Sequence, residues 1–159
     1  MKSLKQYFYE SNLSNDSDEF ENPLSDKDIR ICNQYVDFYD KLNDVVAKIN
    51  KIAQPLYKKY KNNTGEFRKS LNADEQAIAL GMQCSKLIDK LYTIAEKINN
   101  DDIRESLTGL LEVPTGSPYT QYPEPSNFSF GGEFTVVATK DLEKAINDYQ
   151  NGEEFYIEM

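Results

Sequence analysis

Two long stretches of the chain place apolar residues at alternating spacings of four and three. Such spacing keeps one stripe of an α-helix apolar over many turns, so each stripe must pack against another element. We refer to the two stripes as the first and second seams. The first comprises Ile31, Tyr35, Phe38, Leu42, Val45, Ile49, Ile52 and Leu56, and the second comprises Ala77, Leu80, Cys84, Leu87, Leu91, Ile94 and Ile98.

Further apolar residues flank both seams. They are Cys32, Tyr39, Val46 and Ala53 beside the first seam, and Ile88 and Ala95 beside the second. A bare two-stranded coiled coil needs only a narrow stripe, whereas a globular bundle needs a wider one. The pattern therefore predicts a bundle in which two long helices form the body.

The boundaries of the first long helix are marked by capping residues. Ser25 is a suitable N-cap and Asp28 stands three residues later, as in a capping box, so the helix is expected to start near Asp26. Pro55 interrupts the periodic pattern, which predicts a kink or a restart at that point. The run Asn62-Asn63-Thr64-Gly65 predicts the end of the helix.

Two more helices follow. Asn72, with Glu75 three residues on, predicts the start of the second long helix, which should run to about Asn99. A shorter third helix is predicted over Asp101–Glu112.

The pattern changes after Val113. Four prolines in residues 113–127 exclude a helix and favour extended, polyproline-like structure. A β-hairpin about Gly131-Gly132 is predicted over residues 128–138. Thr139 is a candidate cap for a helix over 140–150 that ends at Gly152. A short strand is predicted over residues 155–157. The predicted fold class is mainly α (α+β): an antiparallel helical bundle of two long helices and one short helix, with a small C-terminal hairpin, helix and strand appendage.

This organisation predicts three parts: residues 1–25, 26–112 and 113–159. Residues 3–10 read as a short amphipathic helix on an acidic linker, and the third part begins with an arm rich in proline and tyrosine. Aromatic side chains in such segments serve as anchors in protein interfaces. The candidate partner-binding residues are Leu4, Tyr7, Phe8, Tyr119 and Tyr122. The alternative is that both segments pack on their own bundle.

Charge narrows the range of partners. The chain carries a net charge of −9, so free nucleic acid, which needs concentrated Lys and Arg, is an unlikely partner. A local basic group of Lys48, Lys51, Lys58, Lys59, Lys61, Arg68 and Lys69 is opposed only by Glu66. One interpretation is that these side chains lie near a helix C-terminus, where the helix dipole favours cations. The alternative is that they contact an acidic partner or the chain's own acidic tail.

Catalytic and metal-binding patterns are few. The chain has no histidine, so it lacks the usual general base and the commonest metal ligand. Cys32 and Cys84 read as reduced core residues, and two thiols cannot close a zinc site alone. Asp37, Asp40 and Asp44 share the polar face of the first helix. They form either a solvated face or an acidic stripe that contacts a partner. We therefore expect no catalytic residue, no metal and no cofactor.

No stretch of the sequence approaches the length of an apolar membrane span, and the N-terminus lacks the apolar core of a signal peptide. These two features predict a protein of the cytoplasm that makes no membrane contact.

The chain opens with MKSLKQYFYES. This peptide resembles the short Met-Lys-(Ser/Thr)-Leu-Lys-x-Tyr-x-x-Glu-(Ser/Ala) beginnings of many proteins from large tailed phages, including the crAss-like phages of Bacteroidetes. The resemblance covers these opening residues alone and includes no catalytic group. It implies a phage or phage-derived protein, located in the host cytoplasm or in the virion.

The leading functional interpretation is a non-enzymatic structural or protein–protein interaction protein, which the resemblance suggests is a phage virion or assembly component. It would assemble with further copies of itself or with another protein. An alternative is an acidic inhibitor or immunity-type protein that covers a basic site on a target, because residues 113–159 carry eight acidic and two basic residues. An uncharacterised enzyme is a third alternative.

Overall fold

The computed structural model describes residues 24–115 and 136–157, which form five helices and no β-strand. The helices are α1 (Asp26–Lys59), α2 (Thr64–Ala73), α3 (Glu75–Ala95), α4 (Asp101–Thr115) and α5 (Thr139–Gln150). The prediction of a mainly helical protein is therefore confirmed. The division into three parts stays a prediction.

The start of α1 is the predicted one. The Ser25 hydroxyl oxygen accepts the backbone N–H of Asp28 at 3.1 Å, which satisfies one of the donors left free in a first turn. The sequence predicts a kink or a restart at Pro55; the helix does not restart, because α1 continues through that residue to Lys59, and the kink stays a prediction. A proline this close to the end of a helix removes one backbone hydrogen bond while the rest of the ladder persists.

The stretch that follows α1 contains a helix that the sequence did not predict. The run read as a stop signal also contains a start signal, because the Asn63 side chain accepts the backbone N–H of Glu66 at 3.1 Å and caps α2. The cap of α3 is Asp74, which accepts the N–H of Ala77 at 2.9 Å, so the prediction of Asn72 as the cap is wrong. Asparagine and aspartate are equally good N-caps, and packing decides between neighbouring candidates.

Helices α1 and α3 are antiparallel and form the body of the protein, as predicted. Asp28 at the start of α1 contacts the residues just after α3, and Ile52 near its end lies beside Leu80 near the start of α3. Both seams thus pack within one chain. The main core is built around them, and its largest fully buried side chains are Tyr35, Tyr39, Leu42, Ile49, Leu91, Ile94, Ile98, Ile103 and Leu107.

The remaining helices pack on one side of the α1–α3 pair. The Tyr35 hydroxyl donates to the carbonyl of Leu107 in α4 at 2.8 Å. Ala53, which packs with Phe67 and Leu71 of α2, stands on the same side of α1 as Tyr35, because the 18 residues between them make about five helical turns. Four residues beyond Tyr39, the Asn43 amide donates to the carbonyl of Val137 at 3.0 Å, which fixes the start of α5.

The C-terminal region differs from its prediction. Residues 136–138 and 155–157 form no strand, so the predicted final strand is wrong, and most of the predicted hairpin lies outside the described residues. Phe155 and Ile157 instead pack against the main core, since a strand without a neighbour gains no ladder of hydrogen bonds. Helix α4 also extends past Glu112 to Thr115, into the segment predicted to be extended.

Helix α5 confirms the predicted helix over 140–150 but starts differently. Its N-cap is Ala138, which makes no side-chain cap, and the Thr139 hydroxyl donates to Asp40 at 2.8 Å instead. The predicted end is confirmed: Gly152 has a φ of 94°, and its N–H donates to the carbonyl of Tyr149 at 3.1 Å. Only glycine adopts this left-handed conformation without strain.

One buried carboxylate joins the ends of three helices. Asp28 is 2% exposed, and its two oxygens accept the backbone N–H groups of Asn99 and Asn100 at 2.9 and 3.1 Å. The Asn100 side chain in turn accepts the N–H of Ile103 at 3.0 Å, which caps α4, and the hydroxyl of Tyr149 in α5 at 3.2 Å. Asp28 therefore holds the α3–α4 connection against the start of α1.

We predict that Asp28→Ala lowers the free energy of unfolding by about 3 kcal/mol, because two backbone N–H groups of a partly buried connection lose their charged acceptor. Denaturation in urea measures the change. Asp26→Ala is the matched control, since Asp26 is an exposed acid of the same first turn and its loss should cost about 0.3–1 kcal/mol. Equal losses from the two variants would contradict the role given to Asp28.

Candidate partner-binding surface

One face of the α1–α3 pair is left uncovered by the other described helices, and we call it the open face. On this face the seam residues Phe38, Ile52, Leu80 and Leu87 are only half-buried. The residues that flank the seams, which the sequence placed beside the core, are all buried because α2, α4 and α5 pack over them. One side of each seam thus lies at the edge of the core, while most seam residues are buried within it.

A groove with a volume of about 420 Å³ runs between α1 and α3 on the open face. Its apolar floor includes Ile52 and Leu80, and the lining as a whole comprises Lys48, Lys51, Ile52, Gln76, Ala79, Leu80 and Gln83. The volume suits a few inserted side chains, and a concave apolar surface with a few polar groups at its rim is the usual form of a binding site.

The rim of the groove is positively charged. Lys48 and Lys51 are exposed, and no described carboxylate lies within ion-pair distance of either ammonium group. Further along the open face, the ammonium groups of Lys41 and Lys90 lie 4.5 and 5.7 Å from the centre of the Phe38 ring, where the electrons of the ring attract a cation. The open face therefore carries cations on both sides of an apolar strip.

Two acidic residues border this strip. Asp37 and Asp44 are exposed on α1, each one turn before a lysine of the open face, Lys41 and Lys48. They moderate the positive charge at the α1 edge and contribute nothing to the lining of the groove. The α3 edge of the groove presents the neutral Gln76 and Gln83.

Two exposed apolar side chains lie on α3 outside the groove. Ile78 is 40% exposed and Met82 is 57% exposed, and they stand one turn apart on the helix. Each is the sequence neighbour of a residue that lines the groove, Ala79 or Gln83. Because sequence neighbours on a helix point about 100° apart, these two side chains contribute nothing to the lining of the groove.

A second charged feature lies between α1 and α5, and it includes Asp37 from the border of the open face. Burial together with the nearby carboxylates of Asp40 and Asp37 raises the pKa of Glu143 on α5 above its usual 4.5. The Thr139 hydroxyl donates to Asp40 within the same group. Part of the acidic stripe predicted on α1 is thus joined by an acid from α5, which concentrates negative charge at one place.

The buried thiols and tyrosines act as core residues. Burial raises the pKa of the Cys32 thiol, aided by Asp28, and that of the Cys84 thiol, each to about 12. Burial likewise raises the pKa of Tyr35 well above its usual 10. Thiols that stay protonated near neutral pH are poor nucleophiles and poor metal ligands.

Two searches of the described part of the chain give negative results. Residues 24–115 and 136–157 contain no group of three His, Cys, Asp or Glu side chains able to hold a metal ion. Within the same ranges, no helix combines the length and the apolar character needed to cross a bilayer.

The predicted partner-binding residues cannot be placed on this surface. Leu4, Tyr7, Phe8, Tyr119 and Tyr122 all lie outside the described residues. The sequence did identify Lys48 and Lys51 as part of a basic group, but Ile52 and Leu80 were assigned to the core. Their exposure depends on which side of the pair the other helices cover, and periodicity does not reveal this.

Comparison with known proteins finds no family model, curated protein or solved structure that matches the chain.

We predict that Glu143→Gln stabilises the protein at neutral pH. Because the pKa of Glu143 is raised in the folded chain, ionising this carboxyl costs more there than in the unfolded chain, so stability falls as the pH rises through that pKa. The glutamine variant should have the higher thermal midpoint at pH 7, and the gain should shrink as the pH falls towards about 4.5.

Thermal unfolding of both proteins over a series of pH values measures this gain. Glu105→Gln, at an exposed position of α4 away from these acids, is the matched control. A gain at Glu143 that is independent of pH, or an equal gain at Glu105, would contradict the assignment.

Proposed function

We propose that this chain is a non-enzymatic protein–protein interaction protein that binds an acidic, amphipathic segment of a partner on its open face. The observation that carries the proposal is the groove over Ile52 and Leu80 with Lys48 and Lys51 at its rim. A helix that lays its apolar side chains into a groove between two helices is a recurring mode of peptide recognition.

The chemistry of the groove supports this class of partner. Burying one large apolar side chain contributes about 1.5–3 kcal/mol, so two or three anchors over Ile52 and Leu80 would supply most of the affinity. The lysines at the rim would steer an acidic segment and set its orientation more than they would add to affinity. A basic segment would be disfavoured by the same charges.

The setting of this interaction is proposed from the first residues of the chain. The resemblance of MKSLKQYFYES to the beginnings of tailed-phage proteins supports a phage virion or assembly component. In that setting the open face would join the chain to a capsid or tail protein, or to further copies of itself.

We predict that the full chain binds a fluorescein-labelled amphipathic helical peptide with Leu and Phe on one face and Glu on the other. The double variant Lys48→Glu/Lys51→Glu should weaken this binding by about tenfold or more, because it places like charges against the acidic face of the peptide. Fluorescence anisotropy measures the affinity.

The matched control reverses two exposed lysines outside the groove, in the double variant Lys69→Glu/Lys140→Glu. It makes the same change in net charge, so it should weaken binding only slightly. Equal losses in the two double variants would mean that net charge alone acts, and would contradict a specific groove. Absence of binding both to the unaltered chain and to its Tyr7→Ser/Phe8→Ser variant would contradict the proposal itself.

A second candidate function is an acidic inhibitor that covers a basic site on a target. The grouping of Asp37 and Asp40 on α1 with Glu143 on α5 favours it, because burial first and these two carboxylates second raise the pKa of Glu143. Such a patch would attract a cationic surface over a distance of about one Debye length.

Salt distinguishes the two candidates. If the acidic patch is the functional surface, binding of a labelled oligolysine probe should fall steeply as salt rises and should weaken in the double variant Asp37→Asn/Glu143→Gln. Binding of the amphipathic peptide should be less sensitive to salt, because apolar burial supplies most of its affinity. Oligolysine binding that is unchanged in the double variant would contradict the inhibitor hypothesis.

A further inference from the structure

We propose that the chain's own N-terminal segment, residues 1–23, docks along the open face and places Leu4, Tyr7 and Phe8 in the groove. The inference rests on the proposed function, because it assigns a first occupant to the same groove. Three features support it: the charge of the segment, the order of its residues and its length.

The charge of the segment complements the open face. Residues 1–23 contain five acidic side chains against two lysines, and the acids are Glu10, Asp16, Asp18, Glu19 and Glu21. The open face presents Lys41, Lys90, Lys48 and Lys51 around its apolar strip. Acidic side chains that pass these ammonium groups would gain attraction along much of the face.

The order of residues in the segment matches the order of features on the face. The segment joins the body at Leu24, which is 2% exposed and fixes the point of departure in the main core. From there towards the groove the open face first presents the lysines around Phe38 and then the apolar floor at Ile52 and Leu80. From Pro23 backwards, the segment first presents its acids and then its apolar end.

The length of the segment is sufficient. The 28 residues from Leu24 to Ile52 lie along α1 and span about 42 Å at 1.5 Å per residue. The linker of 13 residues from Ser11 to Pro23 spans at most about 43–47 Å when fully extended. Tyr7 and Phe8 can therefore arrive at the groove when the linker runs nearly straight along the open face.

The covalent connection favours the chain's own segment over any separate partner. A tethered peptide samples its site at an effective concentration of about a millimolar, so weak contacts are enough to keep it bound. A helix as short as 3–10 is marginal in water and gains stability when its apolar face is buried. A partner would then have to displace the segment, which makes docking of the N-terminus a built-in competitor of assembly.

Thiol protection in the full chain tests this inference. Cys32 and Cys84 are buried and their thiols have pKa values of about 12, so a cysteine introduced on the surface reacts selectively. The Gln83→Cys thiol in the groove should react with a maleimide about tenfold more slowly than the Asn72→Cys thiol, which is exposed on α2. Ala79→Cys provides a second groove position.

Removal of the anchors should abolish the protection. In the background Tyr7→Ser/Phe8→Ser, the Gln83→Cys thiol should react as fast as the Asn72→Cys thiol, and the labelled amphipathic peptide should bind more tightly. Reaction at Gln83→Cys and Ala79→Cys that is equally fast with and without the anchors would overturn the inference. Protection that rises with protein concentration would also overturn it, because the segment would then come from a second copy.

The peptide assay separates the two proposals. If the peptide still requires Lys48 and Lys51 while the groove thiols are unprotected, the N-terminal inference fails and the proposed function stands. If the unaltered chain and the Tyr7→Ser/Phe8→Ser chain both fail to bind the peptide, the proposed function fails as well.

Discussion

The architecture depends on the hydrogen bonds that the Asp28 carboxylate accepts from the α3–α4 connection. The carboxylate is a charged acceptor in the interior, and such a group is tolerated only when its oxygens are satisfied. The backbone N–H groups of Asn99 and Asn100 satisfy them, and these belong to the connection that turns α3 into α4. Because Asn100 also caps α4 and accepts from Tyr149, a single charge fixes the relative positions of α1, α3, α4 and α5. Apolar burial supplies the greater stability, but it does not by itself fix this register.

The one-sided packing of the other helices creates the open face. Once α4 is held by Asp28 and Tyr35, and α5 by Asn43, both lie on the same side of the α1–α3 pair. The seams keep their heptad spacing, yet none of the described helices α2, α4 and α5 lies above their outer residues. The apolar strip and its lysines are thus a consequence of the fold. They also show that heptad spacing alone does not fix the degree of burial: most seam residues are buried, whereas Phe38, Ile52, Leu80 and Leu87 are only half-buried.

The sequence predicted the elements whose signals are local. Ser25 and the seams define α1 and α3, because capping and periodicity act within a few turns of one helix. The errors arose where two local signals competed or where a distant contact decided. Asn63 is an example of competing signals, because it belongs to a run that ends one helix and caps the next. Thr139 is an example of a distant contact, because its hydroxyl donates to Asp40, 99 residues away in the sequence, instead of capping α5. The groove could not be predicted from the spacing of apolar residues, because its position depends on which face of the α1–α3 pair the other described helices leave uncovered.

The core is divided into two clusters, and this has a consequence for cooperativity. Ala53, Phe67, Leu71 and Ala77 form a small cluster between α2 and the neighbouring ends of α1 and α3, separate from the main core. So few buried contacts make that end the natural place for partial opening, in which α2 detaches while the larger cluster stays intact. The groove borders this weaker end, and a ligand held there would stabilise the closed form by mass action. Binding at the open face and the detachment of α2 would then be thermodynamically coupled, so each would change the equilibrium of the other.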